Sequence, residues 1–224
     1  MGASIKLMTA NLLHGGAGII SFGHTLDRVR PDVVVTQELG LEYVEVVEDR
    51  FPNHRLRPAS GFKGRGIATH LEAEFGDVPM PARYGTSATL TVDGRLWNLA
   101  GVHLLNPIEF PWWKSVKGRT GQLEAIEGWA GGVSGPTVIV GDFNASPRWP
   151  AYKFMAERWT DLVSDHSSRS GIQAERTWAW RPGWPKMLRI DHVFGSRVIA
   201  TGVSVEPIEG SDHDAVVVDL TVHE

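Results

Sequence analysis

The chain has 224 residues, 42% hydrophobic and 21% charged, with 22 Lys and Arg against 26 Asp and Glu for a formal charge of −4. This composition suits one large globular domain and excludes a molecule-wide positive field for nucleic acid. Cysteine is absent, which excludes disulfides and thiolate-held zinc or iron–sulfur centres.

The first predicted element is a strand, "SIKLMTANL". Its apolar stretch is short and interrupted by Lys6, unlike a signal peptide, and Lys6 also breaks the myristoylation pattern that Gly2 would begin. "SFGHTLDRVR" predicts a short helix stopped by Pro31. "DVVVTQE" is apolar enough for a strand buried on both faces. "LEYVEVVEDRF" spaces Leu41, Val44 and Val47 as a helix does, and "GIATHL" reads as a strand. "ATLTVDGRLWNLAGVHL" alternates around Asp93-Gly94, a hairpin signal. "TGQLEAIEGWAGG" predicts an amphipathic helix closing on glycines. The strand "TVIVGDF", a helix near 150–158 and the strands "LRIDHVFGS" and "DAVVVDLTV" complete the series. No repeat, long linker or apolar run of about 20 residues is found. The expectation is one α/β domain over 1–224 with packed sheets and outer helices, monomeric, cytoplasmic and without an integral membrane segment.

Polar residues collect where these strands end. They are Asn11, Gln37-Glu38, His103, Asp142 with Asn144, Asp191-His192, and the Ser211-Asp212-His213 entry to the last strand. A single Asp after a strand is commonly a turn former, and a single His is commonly a core residue. Most of these endings do not precede helices, so capping does not explain the set. Side chains alternate along a strand, so Asp142 and Asn144 project from the same face. Glu38, Asp142, Asp191 and Asp212 gathered at one rim would repel one another unless a cation were present. Oxygen donors without cysteine suit Mg²⁺ or Mn²⁺. With neighbouring histidines, such a set suits hydrolysis of a phosphate ester.

In order, "TANL", "TQE", "GVHL", "GDFNASP", "RIDHVF" and "SDHDAV" resemble the exonuclease–endonuclease–phosphatase superfamily, the deoxyribonuclease-like fold, from Asn11 to Val218. The resemblance implies a four-layer α/β/β/α sandwich, with two mixed sheets face to face, and Mg²⁺-dependent phosphoester cleavage. By it, Glu38 is the principal metal ligand, with Asn11 and Asp212 completing the site. Asp142 orients or deprotonates the attacking water, and Asn144 holds that water or a phosphate oxygen. His213 binds the scissile phosphate, Asp191 fixes its tautomer, and His103 is a second histidine. One departure stands out. A supporting glutamate for His103, present in the deoxyribonuclease branch, is replaced at the matching position by Gly64, with Glu72 and Glu74 as the substitutes to consider. Arg83 falls where the family can place a phosphate-binding arginine, and Arg65 is a further candidate.

Three stretches are locally basic: residues 50–71, "PWWKSVKGR" and "RTWAWRPGWPKMLR". In the last two, tryptophans including Trp112, Trp113 and Trp178 interleave with Lys and Arg, a pattern that stacks bases and binds phosphates. Residues 106–118 and 178–187 are therefore expected as partly exposed loops flanking the rim, while Trp97 and Trp129 read as core. A nuclease of low sequence specificity, with nucleic acid as partner, is the leading reading. Because tryptophan also suits a lipid interface, a phosphodiesterase or phosphatase acting on lipid headgroups or small metabolites stays open. So does a catalytically silent binding module.

Overall fold

A computed structural model describes residues 4–107 and 112–223, with the side chains of 112–114 excepted. In chain order the first half forms β1 (Ser4–Asn11), α1 (Ile19–Val29), β2 (Val33–Gln37), α2 (Val44–Glu48), β3 (Asn53–Arg57), β4 (Arg65–Thr69), β5 (Ala73–Val78), β6 (Gly85–Val92) and β7 (Arg95–His103). The second half forms α3 (Trp112–Gly131), β8 (Thr137–Asp142), α4 (Pro150–Ala156), β9 (Thr160–Asp161), α5 (Leu162–Ser170), β10 (Asp191–Ser196), β11 (Val198–Glu206) and β12 (Ala215–Val222). Among the described residues these strands make two six-stranded sheets, ordered β11-β12-β1-β2-β4-β3 and β5-β6-β7-β8-β10-β9.

The alternation of side chains along each strand builds the layers. On β1, Leu7 joins Val35, Leu99, Val140, Val193 and Val218 in the core between the sheets. Its neighbour Met8 joins Val34 and Val217 on the other face, beneath Phe22 and Leu26 of α1 and Val47 of α2. On the second sheet, Ala100, Ile139 and Phe194 pack with Ile126 of α3 and Met155 of α4. The result is the expected α/β/β/α sandwich. Each fully buried Leu, Val or Phe contributes about 1.5–3 kcal/mol relative to exposure.

The strands missed by sequence reading are those without a clean apolar signal. β3 reads NHRLR and β5 reads AEFGDV, and neither is fully buried along its length. β3 and β5 are sheet edges, where one side of the ladder faces away from the core. β11 is also an edge strand, broken by a register shift between Ala200 and Gly202. α5 was missed because its sequence, LVSDHSSRS, is polar, but Asp161 caps it by accepting from Val163 N and Ser164 N. A further correction concerns residues 112–118. They were expected in a loop but open the helix α3, which begins well before the amphipathic segment.

Candidate active site

Strand pairing brings the polar endings together. His103 stands opposite Asp142 in the parallel β7–β8 ladder, and Asp191 stands opposite Asp142 in the antiparallel β8–β10 ladder. In the other sheet Asn11 pairs with Gln37 at the parallel ends of β1 and β2, so Glu38 follows at the same rim. Ser211 Oγ donates to the Asn11 carbonyl at 2.9 Å and accepts from His213 N at 3.1 Å, fastening the approach to β12 onto the end of β1. Gly141 lies at φ +139°, and a Cβ there would sit 2.0 Å from the Val102 carbonyl oxygen. Glycine therefore permits the close approach of β8 to β7 that delivers Asp142. Glu38 and Asn144 both have positive φ, 55° and 47°. Asn tolerates this region, whereas for Glu it costs roughly 1–2 kcal/mol that the surrounding contacts must offset.

His213 Nδ1 is 2.9 Å from Asp191 Oδ2, and its Nε2 lies 3.8 Å from Asp142 Oδ2 and 4.0 Å from Asp212 Oδ1. Behind it, Thr177 Oγ1 donates to Asp191 Oδ2 at 2.6 Å. Asp142 Oδ1 accepts from Asn144 N at 2.7 Å, and Asp142 Oδ2 accepts from the side-chain amides of Asn11 at 3.2 Å and Asn144 at 3.3 Å. The Asn11 amide also donates to Glu38 Oε1 at 3.2 Å, while its oxygen accepts from Leu13 N. Asn11 thus clamps two carboxylates, with its carbonyl turned to the backbone. Trp178 Nε1 donates to Asp212 Oδ2 at 3.2 Å, and His103 Nε2 lies 3.4 Å from Asp142 Oδ2.

Burial governs the charges. It pushes the Glu38 carboxyl up to about 7, against the opposing pull of Asn11 and His213. Burial also raises Asp142, again opposed by His213. For His213 burial disfavours the imidazolium, but Asp191, Asp142 and Asp212 outweigh it and raise the pKa, so the ring is cationic at neutral pH. His103 goes the opposite way: burial, with Arg83 and His213, holds it well below its usual value and neutral.

The donor set fits a hard divalent cation. Asp212 Oδ1 is buried without a hydrogen-bond partner, and the buried Glu38 Oε2 has only the His14 ring nitrogen beside it, at 2.6 Å; such oxygens are costly unless a positive ligand reaches them. Asp142, Asp191 and His213 present ligand atoms within 4.8 Å of one another. However, the His213–Asp191 hydrogen bond and the three donors on Asp142 already satisfy that trio. The oxygens left over favour Glu38 and Asp212 as the cation's ligands.

Glu38, Arg83, His103, Asp142, Asn144, Trp178, Asp212 and His213 line one cavity of about 290 Å³. Arg83 is buried there, donating to Leu104 O at 3.2 Å with its guanidinium over Phe62. Asn106 and Pro107 reach the same cavity; Trp112 and Trp113 open α3, and their side chains lie outside the described residues. Arg65 does not line this cavity; it pairs with Asp77 and stacks on Tyr84. Several other basic residues face inward as well. Arg119 donates to the carbonyls of Leu105, Phe143 and Asn144, Arg189 pairs with Asp161, and Lys186 with Asp214, while Arg55 pairs with Asp77 at the surface. Trp97 is core, as expected, and Trp129 is partly buried in the layer beneath α3.

No carboxylate supports His103 from behind: Asp142 and Glu38 face its Nε2, while its Nδ1 is buried without a hydrogen-bond partner. The reason lies at Gly64, where a Cβ would come within 2.0 Å of the Leu39 carbonyl oxygen, so no glutamate fits. Glu72 and Glu74 are exposed and do not replace it. Sequence reading also overlooked Thr177 and His14, whose Nδ1 is 2.6 Å from Glu38 Oε2. The signal for His14 was its place in the glycine-flanked turn "LLHGG" directly after Asn11. Thr177 has no local signal, because its role appears only when its segment folds beside β10.

The family model for the endonuclease/exonuclease/phosphatase family matches residues 8–213. The chain belongs to this family. As a family member it is a phosphoesterase of that superfamily. A search of curated proteins gave no match to the sequence. Among solved structures, an endonuclease/exonuclease/phosphatase from Beutenbergia cavernae DSM 12333 is similar at 20% identity and TM-score 0.77, over 99% of this chain and 72% of that one. D. rerio TDP2 complexed with a single-strand DNA product is similar at 18% identity and TM-score 0.73, over 98% and 99%. The human Nocturnin catalytic domain with bound sulfate is similar at 17% identity and TM-score 0.72, over 99% and 96%. No helix among the described residues is long and apolar enough to cross a membrane.

Proposed function

We propose that this phosphoesterase hydrolyses phosphodiester bonds of DNA or RNA with low sequence specificity and depends on Mg²⁺ or Mn²⁺ held by Glu38 and Asp212. One observation carries the reading: the buried carboxylates of Glu38 and Asp212, the latter with one oxygen unpartnered, and the Asp191-held His213 converge on the cavity that Asp142 lines. A cation bound at Glu38 and Asp212 would supply charge stabilisation at the phosphoryl oxygens. Asp142, fixed by three donors and raised in pKa by burial, accepts a proton from the attacking water. His213, cationic and oriented by Asp191, donates from Nε2 to a phosphate oxygen. His103, neutral and without a carboxylate behind its Nδ1, positions substrate rather than donating as an imidazolium. Arg83 adds positive charge at the same wall.

A second reading, a phosphoesterase for lipid headgroups or small metabolites, is favoured by the exposed Trp180 and Trp184 and by the inward-facing Arg119 and Arg189. Incubation with single-stranded, double-stranded and abasic DNA, with RNA, and with inositol phosphates and sphingomyelin, each with Mg²⁺ or EDTA, separates the two. Cleavage confined to the lipid and metabolite arms would displace the nuclease reading. No Mg²⁺-dependent turnover in any arm would favour a silent binding module.

A further inference from the structure

Among the described residues, the cavity sets aromatic walls beside the cationic His213 and few other positive groups. Among the described residues lining it, Arg83 is the one lysine or arginine. Trp178 and Trp180 form one wall, their ring centroids 5.9 Å apart and their planes at 72°. Trp178 is anchored through its indole N–H to Asp212, so this wall is tied directly to a proposed cation ligand. Trp180 is held at an edge-to-face angle to it and remains 57% exposed, with ring surface left uncovered. Phe62 adds a further aromatic surface from the segment before β4, and it is 51% exposed.

These features match a ligand with one anionic group and one flat ring. A polymer groove instead neutralises a run of phosphates with successive Lys and Arg, which makes binding fall steeply with salt. Here many of the arginines expected to form such a track pair within the protein. A volume of about 290 Å³ is at the small end for ligand pockets, suited to one compact unit. An inositol headgroup has no planar face to stack on the Trp180 ring, and a choline headgroup meets such a ring as a cation rather than as a plane, whereas every nucleobase stacks.

We infer that the recognition element is a single nucleotide unit, its base stacked on Trp180 and its phosphate placed beside Asp212 and Arg83, with little tracking of the chain beyond it. This inference rests on the phosphodiesterase reading above and narrows its substrate to nucleotides and strand ends.

Isothermal titration calorimetry with Mg²⁺ tests it through binding, without requiring turnover. Thymidine 5′-monophosphate is expected to bind at least about tenfold more tightly than 2-deoxyribose 5-phosphate, the scale of one base–aromatic stack. Trp180→Ala should bring the two affinities together, while Trp180→Phe should keep the preference. Log affinity for an oligothymidylate should fall with log salt at a slope of no more than about 2, because few phosphates are neutralised. Equal affinities for nucleotide and sugar phosphate in the unmodified protein, or a preference that survives Trp180→Ala, would overturn the inference. A steep salt slope with much tighter binding of long strands would also overturn it. Nucleotide preference without hydrolysis of any phosphoester would instead strike the catalytic reading and leave the stacking site standing.

Discussion

Thr177 shows how one hydroxyl supports the proposed chemistry. The backbone N–H groups of Ile190 and Asp191 point at its Oγ1 at 3.3 and 3.4 Å, so its own proton is directed to Asp191 Oδ2. Thr177→Val keeps the shape but leaves a buried carboxylate oxygen one donor short, a loss of about 1–3 kcal/mol. The expected result in steady-state kinetics is a fall of about tenfold in kcat with KM nearly unchanged, and Thr177→Ser should restore most of it. An equal rise in KM would point to a binding role instead. Glu38→Gln and Asp212→Asn each remove one of the buried carboxylate oxygens left for the cation. Both should weaken Mg²⁺ binding in a calorimetric titration by at least about tenfold, since hard cations select charged oxygen ligands. Stability should hold, because an amide is cheaper to bury than a carboxylate. Residues at this scale were legible when they stood at one end of an apolar strand, as Glu38 and Asp142 do after β2 and in β8 and as Asp191 does at the start of β10. Thr177 and His14 were not, because their partners Asp191 and Glu38 lie on separate elements.

At the scale of elements, the site depends on how closely strands approach. Gly141 is the sharpest case, with φ +139° and a clash between any Cβ and the Val102 carbonyl. Gly141→Ala is expected to destabilise the fold by about 3 kcal/mol or more, combining backbone strain with displacement of β8. Urea denaturation measures this directly, and an unchanged midpoint would show that β8 can shift without cost. α3 reaches the site through Arg119, whose guanidinium holds the carbonyls of Leu105, Phe143 and Asn144. From sequence, that arginine belonged to a basic tract suited to phosphates; its burial redirects it to the loops that present Asn144. Central strands were legible because burial on both faces demands continuous apolar runs, as in β2 and β8. Edge strands β3, β5 and β11 tolerate polar residues, so pattern alone passed over them.

For the molecule as a whole, a buried network behind Asp191 contributes to acid stability. His192 accepts from Arg189 at Nδ1, at 3.1 Å, and donates from Nε2 to Ala145 O at 2.7 Å. Burial first, then the Arg189 charge, lowers its pKa from 6.5 to about 4. Between those values the unfolded chain binds more protons, so stability rises with pH across this window and is lost as pH falls through it. The loss is roughly 3 kcal/mol at 1.36 kcal/mol per pH unit. Asp161, lowered to about 2 in the fold chiefly by Arg189 against the cost of its burial, adds a loss only at more acid pH. Glu38 and Asp142, raised by burial, act in the opposite sense over the same window, so the His192 contribution is read as a difference: His192→Gln should lose less stability than the unmodified protein as urea midpoints are followed from pH 7 down to 4.

Within the second sheet Asp142 stands between His103 and Asp191, and Asp142 and His103 face the same cavity; hydrolysis by this arrangement requires Asp142 to remain a base. The most direct measurement is steady-state hydrolysis of a chromogenic phosphodiester, bis(p-nitrophenyl) phosphate, by the unmodified protein and Asp142→Asn, with Mg²⁺ and with EDTA. Turnover that needs Mg²⁺, together with a kcat lowered at least about 10²-fold in Asp142→Asn at little change in KM, is expected for loss of a positioned base. An Asp142→Asn protein with normal Mg²⁺-dependent turnover would contradict the proposed mechanism.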